Sequence, residues 1–315
     1  ECLVGSEMCI RDRIGGCVGT SNVLAGEMFD VPVMGTHAHS WIMTFKDEYT
    51  AFKEYARLYP DACTLLVDTY DTLKSGVPNA IRVFTEMREA GIKPKSYGIR
   101  LDSGDLAYLS KKARKMLDDA GFQDAVIAAS NDLDEFLIHD LKMQGAAISS
   151  WGVGTNLITS KDCPSFGGVY KLAAIQNAEG EFQPKIKISE NIEKITNPGN
   201  KTIYRIYDKE TGMLRADLIC FADETFNTGE DLLLFDPNAT WKKTLLPGGT
   251  YTMRELLVPI FQHGECKYES PSVKEIAEFC RQEKKTLWDE TKRLFNPHKV
   301  YVCLLYTSPS PRDTR

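Results

Sequence analysis

The sequence predicts an α/β protein in which a parallel sheet carries the chemistry and a smaller α+β region follows it. Three observations lead there. Short apolar segments recur roughly every thirty residues between Val31 and Thr155, the length of a strand–helix–strand unit. Amphipathic stretches stopped by glycine fill the intervals. Each apolar segment is followed by polar or glycine-rich residues, as expected where parallel strands deliver side chains to one rim.

Strands are expected at 31–34, 64–67, 96–99, 125–128 and 148–151. The helix expected at 77–90 has Pro78 in its first turn and Gly91 as its stop. The next, at 105–120, carries Leu106, Leu109, Ala113 and Leu117 at helical spacing and stops at Gly121. A third, at 132–144, is stopped by Gly145. This alternation suits either a barrel or a doubly wound sheet. After Gly167-Gly168 the texture changes to short strands at 169–175, 203–208 and 213–221. Turns fall at 177–180 and 197–200, and a charged helix is expected at 272–295.

Bulk properties narrow the function classes. The 315 residues are 43% hydrophobic and 26% charged, the composition of an ordinary globular protein. No apolar run approaches the ~18 to 20 residues of a membrane span. The net charge of −6 argues against a nucleic-acid surface, which needs a clustered basic face. The nine cysteines contain no C-x-x-C and read as scattered thiols of a reducing cytoplasm.

The two ends have a separate explanation. One DNA stretch, resembling a transposase-type sequencing adapter, encodes 2–13 in one orientation and 303–313 in the other. The expected organisation is therefore an adapter-derived tail at 1–13, a barrel portion with its rim at 14–168, an appended α+β region at 169–302, and a second tail at 303–315.

The rim holds the candidate chemistry. Thr36-His37-Ala38-His39 follows the first apolar segment and contains two of the chain's five histidines. Imidazole exchanges protons near neutral pH and can accept a phosphoryl group. Asp68-Thr69 follows the second segment, and Arg100, Asp102 and Ser103 the third. Ser130-Asn131-Asp132 follows the fourth, and Gly152, Gly154 and Thr155 the fifth. Taken singly these are bland: Asp68 could open a turn, Asp132 could cap a helix, and Asp102 could simply neutralise Arg100. Five in phase point to a site. Arg100 within a strand pattern suits an anionic substrate bound in a bidentate way. The glycine pairs Gly152/Gly154 and Gly167/Gly168 let backbone N–H groups approach phosphate, with Thr155 adding a hydroxyl. The H-x-H pair also resembles a metal-dependent hydrolase using His37 and His39. That chemistry needs further ligands from later strand ends, whereas His139, His263 and His298 lie elsewhere.

Together, GTHAHS, LLVDTYDT, GIRLDSGDL, SNDLDE, GVGTNLIT and GGVYKL resemble the bacterial nicotinate phosphoribosyltransferase family, in order and spacing. The resemblance implies an irregular α/β barrel of the type II phosphoribosyltransferase kind, usually assembled as a homodimer in the cytoplasm. It implies transfer of phosphoribose from phosphoribosyl pyrophosphate to nicotinate, coupled to ATP hydrolysis with Mg²⁺. By that resemblance His39 is the phosphorylated histidine, and Thr36 lies at the nicotinate site. Arg100 faces nicotinate and the reacting ribose, and Thr155 holds the phosphoribosyl phosphate. Asp102 joins the catalytic group, and Asp68 and Ser103 the substrate contacts. Gly152, Gly154, Gly167 and Gly168 are expected around phosphate, and no residue is assigned directly to metal. The family's amino-terminal portion, with a pyridine-stacking aromatic, has no counterpart before Ile14, so weak or absent activity is expected of this polypeptide. A nicotinamide-using relative is the nearest alternative.

Overall fold

The computed structural model describes residues 6–165, 167–188, 190, 196–236 and 239–305. The chain forms two compact units, Glu1–Phe166 and Gly167–Arg315, so the boundary falls two residues before the expected one.

In the first unit, α1 (Ser6–Gly15), α2 (Val23–Phe29), α3 (His39–Met43) and α4 (Glu48–Leu58) precede β1 (Ala62–Leu66). A π-helical turn, Thr72–Gly76, leads into α5 (Val77–Glu89). Then follow β2 (Ser96–Leu101), α6 (Leu106–Asp119), β3 (Val126–Ala129), α7 (Glu135–Met143), β4 (Ser150–Trp151) and α8 (Thr155–Ile158). The four strands make one parallel sheet in the order β1-β2-β3-β4. Leu65, Ile99 and Ile127 pair across it and are buried, packed with Phe52 of α4, Phe84 of α5 and Leu117 of α6. Acidic caps start the helices: Asp47, Asp105 and Asp134 accept from the N–H of Thr50, Tyr108 and Leu137. The expected stops at Gly91, Gly121 and Gly145 all take positive φ, between 72° and 83°.

Register is what brings the rim together. Leu66, Arg100, Ala128 and Ser150 stand in one row across the sheet. Two residues further along each strand come Asp68, Asp102, Ser130 and Gly152, so the polar ends lie side by side.

The expected strand at 31–34 is the main correction. It makes only an isolated parallel bridge, Thr20 to Val33, and both Val33 and Met34 are more than half exposed. The physical reason lies at the edge of β1. Val67 N–H donates to Arg100 O of β2, so the Leu66 N–H points outward, and His37 Nε2 accepts it at 3.2 Å. An imidazole, not a fifth backbone, occupies that edge. The expected helix at 132–144 begins only at Glu135, because Asp134 and not Asp132 is its cap.

In the second unit, β5 (Ala174–Gln176) and β6 (Phe182–Pro184) form a hairpin, so of the strand expected at 169–175 only the last two residues are in a strand, and the rest is mostly exposed chain without regular structure. β7 (Lys201–Asp208), β8 (Leu214–Phe221), β9 (Leu232–Asp236), β10 (Ala239–Leu246) and β11 (Tyr251–Glu255) build the larger sheet. A second hairpin pairs β12 (Phe261–Gln262) with β13 (Glu265–Cys266). The helix α9 (Val273–Lys285) opens with a Ser272/Glu275 capping box and stops ten residues short of expectation. There Trp288 Nε1 turns back to donate to Leu214 O. The strand β14 (Val302–Leu305) completes the order β10-β9-β14-β8-β7-β11. Residues expected as tails thus adopt regular structure, as part of α1 at 6–13 and, at 303–305, as part of β14, whose backbone pairs with β8 and β9.

Two outcomes test this packing. A Cβ on Gly76 would stand 1.8 Å from Val67 O, so Gly76→Ala is expected to lose about 2 kcal/mol or more in denaturant unfolding. A loss below about 0.5 kcal/mol would contradict that close approach. His37 is buried, edge-on to Tyr55 at 4.5 Å, and burial pulls its pKa down to about 4 against a smaller opposing effect of the Ala38 backbone. Below pH 6.5 the unfolded chain therefore binds a proton that the folded chain refuses, and stability falls as pH drops towards 4. Above pH 6.5 this group has no effect. Across that window wild type should lose about 3 kcal/mol more than His37→Gln in parallel unfolding titrations, and equal slopes would refute the assignment.

Candidate active site

Arg100 is the most connected side chain at the carboxyl edge of the sheet. Its Nε donates to Ser130 Oγ at 2.8 Å, Nη1 to Thr36 Oγ1 at 2.7 Å and Nη2 to Asp102 Oδ1 at 2.9 Å. Ser130 Oγ also donates to Asp102 Oδ1. One guanidinium thereby ties the ends of β2 and β3 to the segment before α3. Burial alone would raise the Asp102 pKa; hydrogen bonds from Ser130 and Arg100, with the nearby charges of Arg100 and His39, outweigh it and hold the carboxyl below its usual range.

His39 opens α3 and is half-buried. Its Nδ1 lies 3.0 Å from Thr69 Oγ1, while Nε2 lies 3.6 Å from Asp102 Oδ2 and 4.0 Å from Asp68 Oδ1. The Asp68 carboxylate is almost fully buried, at 2% exposure. Its Oδ2 accepts from Asp102 N–H at 2.9 Å and from Ser103 Oγ at 2.6 Å, whereas Oδ1 has no hydrogen-bond partner among the described residues. That buried, unpaired oxygen and Asp102 Oδ2 both lie towards the imidazole. Hard oxygen donors of this kind fit Mg²⁺.

The glycine loop after β4 stands beside this group. Gly152 N–H donates to Ala129 O at 2.8 Å, and a Cβ there would touch Ser130. Gly154 precedes α8, and Thr155 is exposed in its first turn. Asn156 donates to the carbonyls of Asp132 and Leu133, clamping a loop in which Asn131 and Asp132 both take positive φ. Backbone strain of this kind persists only where surrounding contacts enforce it.

Of the expected site residues, Thr36, His39, Asp68, Arg100, Asp102 and Ser103 are thus joined in one network, with Gly152 packed on Ser130. Gly154 and Thr155 follow in the same loop. Gly167 and Gly168 open the second unit, and no atom among the described residues lies within 4 Å of a Cβ built on either. The H-x-H pair does not form: His37 turns to β1 and His39 to the carboxylates. Among the described residues no group of three or more His, Cys, Asp or Glu is arranged to hold a metal ion. Sequence reasoning missed Ser130, Thr69 and the anchoring role of His37. Ser130 and Thr69 stood in the strand-end segments, but nothing marked which neighbour each would meet.

Comparison with known proteins gives the family. The model of the nicotinate phosphoribosyltransferase family matches residues 5–216, and that of the nicotinate phosphoribosyltransferase C-terminal domain matches 200–307. A Bacillus subtilis nicotinate phosphoribosyltransferase is 48% identical over 291 residues, covering 92% of this chain and 58% of the relative. The human nicotinate phosphoribosyltransferase is 30% identical over 345 residues, covering 92% and 62%. The crystal structure of human nicotinic acid phosphoribosyltransferase superposes with a TM-score of 0.74 at 25% identity, over 95% of this chain and 65% of that one. The chain thus spans about three-fifths of the length of these relatives. Its fold is that of the type II phosphoribosyltransferases. With a family model matched over more than half its length and its rim residues joined in one network, the chain belongs to the nicotinate phosphoribosyltransferase family.

Proposed function

We propose that this chain carries the phosphoribosyl-transfer site of an enzyme converting nicotinate and phosphoribosyl pyrophosphate to nicotinate mononucleotide and pyrophosphate, driven by ATP hydrolysis through a phosphohistidine. The observation that carries the reading is the placement of His39 between Thr69 and two carboxylates, with Arg100 beside them.

Arg100 binds the nicotinate carboxylate through its guanidinium fork, exchanging protein contacts for ligand ones. Thr36, already on Arg100, lines the same position. The pyridine nitrogen forms a bond to the anomeric carbon of the ribose as the bond to pyrophosphate breaks. Asp102 stabilises positive charge developing at that carbon. The loop Gly152–Gly154 and the Thr155 hydroxyl hold the phosphoribosyl phosphate. Asp68 and Asp102 would hold Mg²⁺, which supplies neutralisation of the departing pyrophosphate. His39 takes the γ-phosphoryl group of ATP, ADP leaves, and the phosphohistidine is later hydrolysed to phosphate. Coupling requires that the added charge favour one conformational state with its own substrate affinity. The full-length protein is read as a cytoplasmic homodimer.

The test is an assay of the full-length protein with nicotinate against nicotinamide, with and without Mg²⁺·ATP. Nicotinate should be preferred and ATP should stimulate its use; preference for nicotinamide would favour the alternative reading. His39→Ala should abolish acid-labile phosphorylation and ATP stimulation together, and phosphohistidine persisting in that variant would reject the assignment. Arg100→Lys should cut kcat/KM for nicotinate by about tenfold or more, since a point charge cannot replace a bidentate fork. Near-normal turnover would count against Arg100.

A further inference from the structure

Among the described residues, the imidazole of His39 makes its one short polar contact to Thr69, a residue given no chemical step in the reading above. Thr69 Oγ1 lies 3.0 Å from Nδ1, closer than either carboxylate is to Nε2. The hydrogen bond made by one ring nitrogen fixes ring orientation and decides which nitrogen carries the proton. A hydroxyl suits that position in either state. It donates to an unprotonated Nδ1 and accepts from a protonated one, without moving.

Thr69 itself is rigidly mounted. It stands between Asp68, locked by Asp102 N–H and Ser103, and Asp71, whose side chain caps the π-helical turn through Lys74 N–H. The end of that turn presses against the chain just after β1, where Gly76 meets the Val67 carbonyl. Behind it, the buried Glu48 accepts from Ser75 and Asn79. Both ends of the segment 67–76 are therefore held, and β-branching restricts the Thr69 rotamer further.

The geometry points to Thr69 as the positioning residue for phosphoryl transfer to His39: its hydroxyl holds the imidazole orientation in which the ring attacks phosphorus. In that step the ring lone pair forms the N–P bond, ADP departs with the electron pair of the broken P–O bond, and the other ring nitrogen keeps its proton. This rests on the phosphohistidine reading above.

The experiment compares wild type, Thr69→Ser and Thr69→Val in the full chain. The valine is isosteric but cannot hydrogen-bond, while serine restores the hydroxyl. With ¹⁵N-histidine labelling, the His39 Nδ1 resonance, identified by its loss in His39→Gln, should move in Thr69→Val and return in Thr69→Ser. With Mg²⁺·ATP, Thr69→Val should form acid-labile phosphohistidine about tenfold more slowly at saturating ATP, with half-saturation unchanged. Thr69→Ser should stay near the wild-type rate. An unmoved Nδ1 resonance, or equal phosphorylation rates in wild type and Thr69→Val, overturns the proposal. Wild type that acquires no acid-labile phosphate rejects the phosphohistidine reading beneath it, whatever the resonance shows.

Discussion

The contacts of the Arg100 guanidinium are the constraint on which the site depends. A strand position two residues before the rim would ordinarily be apolar, and an arginine there must be satisfied on all sides. Ser130, Thr36 and Asp102 do so from three separate segments. Each partner is in turn fixed to another group. Asp102 is held by Ser130 as well as Arg100, and its backbone N–H engages Asp68, which also accepts from Ser103. The charge that makes Arg100 costly to bury is thus what draws the strand ends into one arrangement. It is also what a ligand carboxylate would compete for.

Around that centre the two histidines divide their duties. His37 closes the open edge of β1 by accepting the Leu66 N–H, and burial keeps it neutral near pH 7. Its place on β1 fixes where α3 begins, two residues later, and so where His39 stands. A buried residue packed in the core therefore sets the position of the half-buried imidazole at the rim. The π-helical turn does the same for Asp68 and Thr69 from the other side, through the contact of Gly76 with Val67.

Much of the α/β pattern was legible because local signals and global fold agree. β1 to β4, the glycine stops and the polar strand ends all followed from periodicity and turn chemistry. The segment 31–34 misled because an apolar run records burial tendency and not the availability of a backbone partner; Val31 is indeed buried, but the neighbouring edge belongs to His37. The expected helix at 272–295 ran long because its charge pattern continues past Lys285, whereas the turn is set by a distant contact between Trp288 and Leu214. At the site, residue types were readable and pairings were not. Thr69 and Ser130 stood among the polar strand ends, but their places beside His39 and Arg100 come from the folded arrangement. Register is a property of strand pairing, which no single segment encodes.

Arg100 and Asp102 form one coupled unit and do not merely stand near each other. A double-mutant cycle on equilibrium unfolding, with Arg100→Gln, Asp102→Asn and the double variant, measures this directly. The expected coupling is about 1–3 kcal/mol, with the double variant less unstable than the sum of the single losses. Additive losses, within about 0.3 kcal/mol, would contradict it.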